Sequence, residues 1–254
     1  MMQVNITSGE CVLCGGTGWR PVEKKGQRAV EVCQCRQQPH DEDWWLDRAH
    51  IPRRYRQCDF EDFYNPNNNP SLQMALVKSR GFAEQYPLVK AGLLFLGNPG
   101  VGKTHLAVAI LKKLMIQKGM ECLFCSFQEL LQQIRDSYNP VSLSTEYQVL
   151  HPVLETELVV IDDLGANRVS DWVEDTVTHI LNYRYNQKKA TLLTSNLPDD
   201  PEEVKERGPS GKYRIGDTLE DRIGKRVRSR LYEMCEEVKI RADDFRQTVR
   251  MHDR

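Results

Sequence analysis

Residues 97–104 read GNPGVGKT, and they follow directly on the apolar run GLLFL at 92–96. Glycine, four free positions, then glycine, lysine and a hydroxyl residue is the pattern of a loop whose backbone cradles phosphate. The pattern restricts the fold, because it works only where a strand hands over to a helix whose positive dipole end meets the anion. The flanks comply: 93–96 has the continuous apolar character of a buried strand, and 106–115 that of a buried helix. Gly97, Gly100 and Gly102 let the backbone come close to phosphate oxygens, with Asn98, Pro99 and Val101 completing the turn. Lys103 supplies a point charge for the β- and γ-phosphates, Thr104 offers a hydroxyl to Mg2+, and His105 stands in the first helical turn. A bound nucleotide is the expectation.

Strands and helices alternate beyond the loop. Strands are predicted at 122–127, 157–163 and 190–195, and helices at 128–138 and from about 170 to 187, with Ser170 or Asp171 as the second helix's N-cap. Such a repeat predicts an α/β fold, a parallel sheet with helices on both faces. In ELVVIDDLG an apolar strand ends in two acids at the sheet's carboxyl edge. Asp162 can hold Mg2+ through its water shell and Asp163 can polarise an attacking water, or both are solvated acids at a strand end. Asn196, closing TLLTSN, can position that water, or is an ordinary turn asparagine. Further on, LEDRIGKRVRSRLYEMC reads as one helix with Arg222, Arg226 and Arg230 four apart on one face. That row is a solvated face, an anion site or an arginine finger for a neighbouring subunit. A strand at 236–242 follows, and the 254-residue chain leaves no room after it for a large helical lid.

A net charge of −1 excludes a globally basic nucleic-acid binder. No apolar run reaches membrane-spanning length, and the first ten residues lack the features of a signal peptide, which predicts a cytoplasmic protein with reduced thiols and no membrane partner. Four of the eight cysteines cluster as Cys11, Cys14, Cys33 and Cys35, a spacing that can close a tetrahedral Zn2+ site and staple a hairpin too small to fold on its own core. His40 is a substitute ligand; free thiols or a redox pair are the other possibilities. Cys122 and Cys125 lie on a predicted strand, where residues three apart face opposite sides, so no shared metal is expected there. The predicted organisation is a zinc-binding, partner-docking domain at 1–47, with Trp44 and Trp45 as a docking surface or a core cover, a linker at 48–70, and a nucleotide-binding domain at 71–254.

GNPGVGKT, LVVIDDLG, TLLTSN and DRIGKRVRSRLYEMC, in that order and with IPRRY at 51–55, resemble the AAA+ ATPases of the DnaC/IstB group from about Arg48 onward. The resemblance implies ATP with Mg2+, Lys103 and Thr104 on phosphate and metal, Asp162 on Mg2+, Asp163 as the catalytic acid, Asn196 as first sensor, and Arg230 as the finger, with Arg226 as second candidate. Many AAA+ proteins have glutamate where Asp163 stands, and the shorter side chain implies slow hydrolysis or a switch-like use of ATP. The cysteine-bearing amino-terminal domain is similar to that of replicative-helicase loaders of the DnaI/DnaC type, where it grips the helicase. Transposition helpers of the IstB type generally lack it. The helical segment 127–155 resembles an insertion that touches single-stranded DNA, with Arg135 and Tyr138 as contacts or simply exposed polar residues. The implied function is a helicase loader in DNA replication that self-associates through shared ATP sites; the alternatives are a transposition helper and a nucleotide-gated adaptor with little turnover.

Overall fold

The computed structural model describes residues 19–24, 27–32, 41–139, 144–166, 170–199 and 218–246. Two units divide the chain, Met1–Arg48 and Ala49–Arg254. In the first, β1 (Trp19–Lys24) and β2 (Gln27–Val32) pair antiparallel from Trp19↔Val32 to Lys24↔Gln27. Helix α1 (Glu42–Arg48) begins where Asp41 Oδ1 accepts the Trp44 N–H at 2.8 Å, a side-chain oxygen satisfying an orphan first-turn donor. Trp44 and Trp45 meet edge to face at 4.9 Å. Cys11, Cys14, Cys33, Cys35 and His40, the expected zinc ligands, lie outside the described residues.

In the second unit the predicted alternation is realised as α2 (Pro70–Gln85), β3 (Gly92–Gly97), α3 (Lys103–Lys118), β4 (Cys122–Ser126), α4 (Phe127–Ser137), α5 (Glu146–Glu155), β5 (Leu158–Asp162), α6 (Asp171–Asn186), β6 (Thr191–Ser195), α7 (Leu219–Ile223), α8 (Lys225–Met234) and β7 (Cys235–Ile240). The five strands form one sheet in the order β4-β5-β6-β3-β7, every pair parallel. Caps mark the boundaries: Asn69 Oδ1 accepts from Ser71 N at 2.9 Å, Ser170 Oγ from Val173 N at 3.3 Å, and Thr145 forms a reciprocal capping box with Gln148.

Alternation along the strands divides the core between the two faces. Leu94, Leu96, Leu123, Val159, Ile161 and Leu193 pack with α4 to α8 on one side. Leu93, Phe95, Phe124, Leu158, Val160 and Leu192, all buried, occupy the alternate positions, toward the side of α2 and α3. Cys122 is buried and Cys125 packs against the first face, as strand geometry requires of residues three apart. Residues 49–69, read as part of a linker, contribute buried Ile51, Cys58 and Phe60. They are tied to α3 by Lys112, whose Nζ donates to Arg56 O at 2.7 Å and Asp59 Oδ2 at 2.8 Å.

One feature departs from the sequence expectation, and one buried cation carries no sequence signal. The helix carrying the arginine row is broken at Gly224, whose φ of 81° ends α7 and whose missing Cβ leaves room for the Glu174 carboxylate. Arg222 is thereby separated from Arg226 and Arg230, which remain on α8. Arg184, in the last turn of α6, is fully buried: it donates to the carbonyls of Val153 and Thr156 at 2.8 Å and Ala190 at 2.6 Å, and to Thr191 Oγ1 at 2.9 Å. Its guanidinium thereby satisfies the carboxyl end of α5 and the approach to β6. Burial above all lowers its pKa to about 10, so it stays charged at neutral pH. Among the described residues no helix is long and apolar enough to cross a membrane.

Candidate functional site

β3 delivers the glycine-rich loop, and α3 starts from Gly102, whose φ of 95° is open to glycine at little steric cost. A Cβ at Gly102 would also stand 2.6 Å from the Phe63 ring. No side chain caps this helix, so no side-chain oxygen competes with an incoming anion for its first-turn N–H groups. Lys103 is buried, and its ammonium donates to Gly97 O at 2.9 Å, Asn98 O at 2.7 Å and Asn196 Oδ1 at 2.6 Å. The charge is thus already out of water and aimed across the loop.

Asp162 ends β5 at 3% exposure. A single carboxylate oxygen, Oδ1, accepts both Thr104 Oγ1 at 2.8 Å and Thr194 Oγ1 at 2.7 Å. Burial raises its pKa, the two hydroxyl bonds oppose that, and the neighbouring Asp163 charge reinforces it. On a continuing strand Asp163 would point to the opposite face. Instead its φ is 57°, a left-handed conformation unusual outside glycine, which re-aims its carboxylate to the same sheet edge. Two bonds hold that turn: Asp163 N–H donates to Thr194 Oγ1 at 2.9 Å, and Leu164 N–H to Thr194 O at 2.8 Å.

Strand order brings these groups together. β6 lies between β3 and β5, so Asn196 just beyond its end stands between the lysine of one strand-loop and the acid of the other. Its Oδ1 faces the Lys103 ammonium, and its Nδ2 donates to Asp163 Oδ1 at 2.7 Å; only this amide orientation satisfies both neighbours. Lys103, Asn196 and Asp163 form one connected polar line, with Thr104 and Asp162 beside it. Thr194 was missed by sequence reasoning, though a hydroxyl two residues before Asn196 lies on the same side of the strand and was the available signal.

A cavity of about 800 Å3 opens on this line, within the size range of nucleotide pockets. It is lined by Pro99 to His105, Asp163 and Asn196, and by a second group of Arg54, Tyr55, Asp62, Tyr64, Asn67, Ala242, Asp243, Phe245 and Arg246. Within it Tyr64 and Phe245 lie with ring centroids 5.3 Å apart, and the Phe245 N–H donates to Gly100 O at 3.1 Å. The His105 ring has Nε2 2.6 Å from Asp59 O and an edge contact of 5.5 Å to Phe63. This second group comes from segments far apart in sequence, and of these only IPRRY at 51–55, which holds Arg54 and Tyr55, belongs to a motif quoted above.

The residues suit Mg2+·ATP: one carboxylate and one hydroxyl are what a cation that keeps most of its waters asks of a protein. Among the described residues no larger group of metal-ligating side chains occurs. Arg230 is not in the cavity wall; it lies half-buried on α8 over the Tyr185 ring at 5.2 Å, while Arg226 is exposed. Arg135 stacks on Trp172 at 4.7 Å, and Tyr138 accepts from Trp172 Nε1 at 3.5 Å and is 53% exposed, making a basic and aromatic surface on α4 and α6.

A family model described as IstB-like ATP binding protein matches residues 45–252. The replicative helicase loader DnaC of Buchnera aphidicola subsp. Acyrthosiphon pisum (strain APS) is 28% identical over 152 residues, 60% of this chain and 61% of that protein. The chain therefore spans under two thirds of that relative. The phage-like element PBSX protein XkdC of Bacillus subtilis (strain 168) is 25% identical over 235 residues, 89% of this chain and 79% of that protein. The crystal structure of the DnaC helicase loader superposes with a TM-score of 0.61 and 34% identity, covering 75% of this chain and 100% of that one.

Proposed function

The chain belongs to the IstB-like ATP-binding protein family, and from that premise we propose that it is an ATP-dependent DNA replication factor that binds a replicative helicase and places it on single-stranded DNA. The observation that carries the reading is the likeness to the DnaC loader over the whole of that crystal structure at 34% identity. The site geometry supports an ATPase. Bound Mg2+·ATP supplies the electrophilic terminal phosphorus and the cation that offsets charge on the phosphate oxygens. Lys103 would hold the β- and γ-phosphate oxygens, and Thr104 and Asp162 would hold the metal, directly and through its water shell. Asp163 accepts a proton from water at its carboxylate, and the Asn196 amide fixes where that carboxylate points. Arg230, outside the cavity wall of its own chain, is proposed to complete a neighbour's site, which makes hydrolysis depend on assembly.

The Arg135, Tyr138 and Trp172 surface is proposed as the single-stranded DNA contact, since aromatic faces accept bases without regard to sequence. Cys11, Cys14, Cys33 and Cys35 are proposed to hold Zn2+ in a helicase-docking domain, which metal analysis of freshly purified protein tests. A transposition helper is the second reading, favoured by the family description itself. A nucleotide-gated adaptor is the third, favoured by the short acid Asp163 already engaged by an amide. A pull-down of the replicative helicase with a non-hydrolysable ATP analogue and with ADP decides the first: capture in either state supports loading, and failure in both refutes it. ATPase assays with and without single-stranded DNA separate the adaptor.

A further inference from the structure

Arg54 lines the phosphate cavity together with Tyr55, Thr104, Asp163 and Asn196. It sits in the short 3-10 turn Arg53–Tyr55, closed by the Tyr55 N–H to Pro52 O at 2.8 Å and followed by the Cys58 N–H to Tyr55 O at 3.0 Å. That turn is anchored on both sides. Ile51 before it is buried, Ala49 O accepts the Phe124 N–H of the sheet at 2.8 Å, and the carbonyl of Arg56 after it holds the buried Lys112 ammonium.

The Arg54 guanidinium carbon lies over the Tyr55 ring, 4.4 Å from its centroid, and Arg54 makes no ion pair among the described residues. Its N–H groups form a planar fork of the kind that matches phosphate oxygens. Tyr55 in turn is wedged against Phe124 at 6.1 Å, so the platform is set by the sheet. Arg54 and Tyr55 line one cavity with Lys103, Thr104, Asp163 and Asn196. Tyr55 packs against Phe124 of β4, the strand paired with β5, which ends in Asp162. These are the residues that the ATP reading assigns to the metal and the terminal phosphate.

We propose that Arg54 is a phosphate-binding residue of its own chain's site, which contacts the terminal phosphate of a nucleoside triphosphate and sets the preference for triphosphate over diphosphate. The inference rests on the ATP-binding reading of the cavity. It differs from the role given to Arg230, because it acts in cis and needs no assembly. A guanidinium contact on a terminal phosphate is a charge-assisted hydrogen bond, and its loss weakens binding of the ligand that carries the phosphate by about 10- to 100-fold.

The test measures equilibrium binding of fluorescent ADP and of a fluorescent non-hydrolysable ATP analogue, with Mg2+, to the full chain at a concentration where it is monomeric. Arg54→Ala is expected to lose about 10-fold or more for the ATP analogue and less than about 3-fold for ADP. Arg54→Lys, which keeps the charge without the fork, should fall between. Arg53→Ala, an exposed neighbour outside the cavity wall, should match the parent. Equal losses for both nucleotides, or none, overturn the proposal, as does an effect of Arg53→Ala as large as that of Arg54→Ala. Thermal melts check that Arg54→Ala is folded; if it is not, the Arg54→Lys ratio of the two affinities decides. Failure of the parent chain to bind either nucleotide instead overturns the ATP reading, and the proposal with it.

Discussion

Thr194→Val removes one buried hydroxyl without changing side-chain volume much, and that hydroxyl joins the two acids of the site. It donates to Asp162 Oδ1 at 2.7 Å and accepts the Asp163 N–H at 2.9 Å. The first bond is to a charged group, worth about 1.5–3 kcal/mol, and the second leaves an orphaned N–H at about 1–3 kcal/mol. The added methyl returns about 1 kcal/mol of apolar burial, so the net loss is about 1.5–5 kcal/mol. For a domain of this size that corresponds to a Tm lower by roughly 3–20 °C. Asp162 would keep one of its two hydroxyl donors, so its already raised pKa moves further up and it holds a cation less well. Loss of such an outer partner raises the Mg2+ concentration needed for ATP-analogue binding by about 10-fold or more. Calorimetric melts without nucleotide read the first effect, and Mg2+ titrations of analogue binding read the second. Thr194→Ser keeps the hydroxyl, and is expected to cost about 1 kcal/mol for the lost methyl with no change in Mg2+ dependence. A valine variant with parental Tm and parental Mg2+ dependence would refute the assignment of Thr194 as the joint between Asp162 and Asp163.

Lys103→Ala should abolish ATP binding, whereas Arg230→Ala should spare binding and lose hydrolysis under assembling conditions; normal turnover by Arg230→Ala ends the shared-site proposal. Arg184→Met leaves several carbonyls at the end of α5 and before β6 without their donor, and should destabilise the fold by about 3 kcal/mol or more while leaving nucleotide affinity of the folded fraction unchanged, as melts and binding titrations can read. Asp199 gives a pH dependence. Burial pushes its carboxyl up, but bonds from Arg228 and Tyr232 and the Arg228 charge outweigh that and hold it below the ordinary range. A depressed carboxylate contributes stability in full above its unfolded value of about 4 and loses it as pH falls through the folded value. Tm of the parent should therefore fall more steeply than that of Asp199→Asn below about pH 4, and parallel curves would contradict the pairing.

Much of the site was legible because its parts are local. Gly97–Thr104 is a contiguous loop, Asp162 and Asp163 end an unmistakably apolar strand, and Asn196 ends another. Period and capping placed the helices, and of the two N-cap candidates for α6, Ser170 and Asp171, the structure uses Ser170. Where a residue's role depends on a distant partner, the sequence was silent. Arg184 reads as one more helix cation, and only the packing of α6 over α5 and β6 buries it. The arginine row reads as continuous because helical spacing passes through glycine, and the break appears only with the positive φ of Gly224 and the Glu174 carboxylate packed where its Cβ would stand.

The sequence by itself determined that a phosphate loop, a pair of acids and an asparagine would each stand at a strand end, since apolar runs and turn chemistry are read over a few residues. That they form one site was decided by tertiary structure. β6 pairs between β3 and β5, an arrangement of hydrogen-bonded edges that no local pattern specifies, and it sets Asn196 between Lys103 and Asp163. The rest of the cavity lining, with Arg54, Tyr64 and Phe245, likewise comes together with the loop only in the folded second unit.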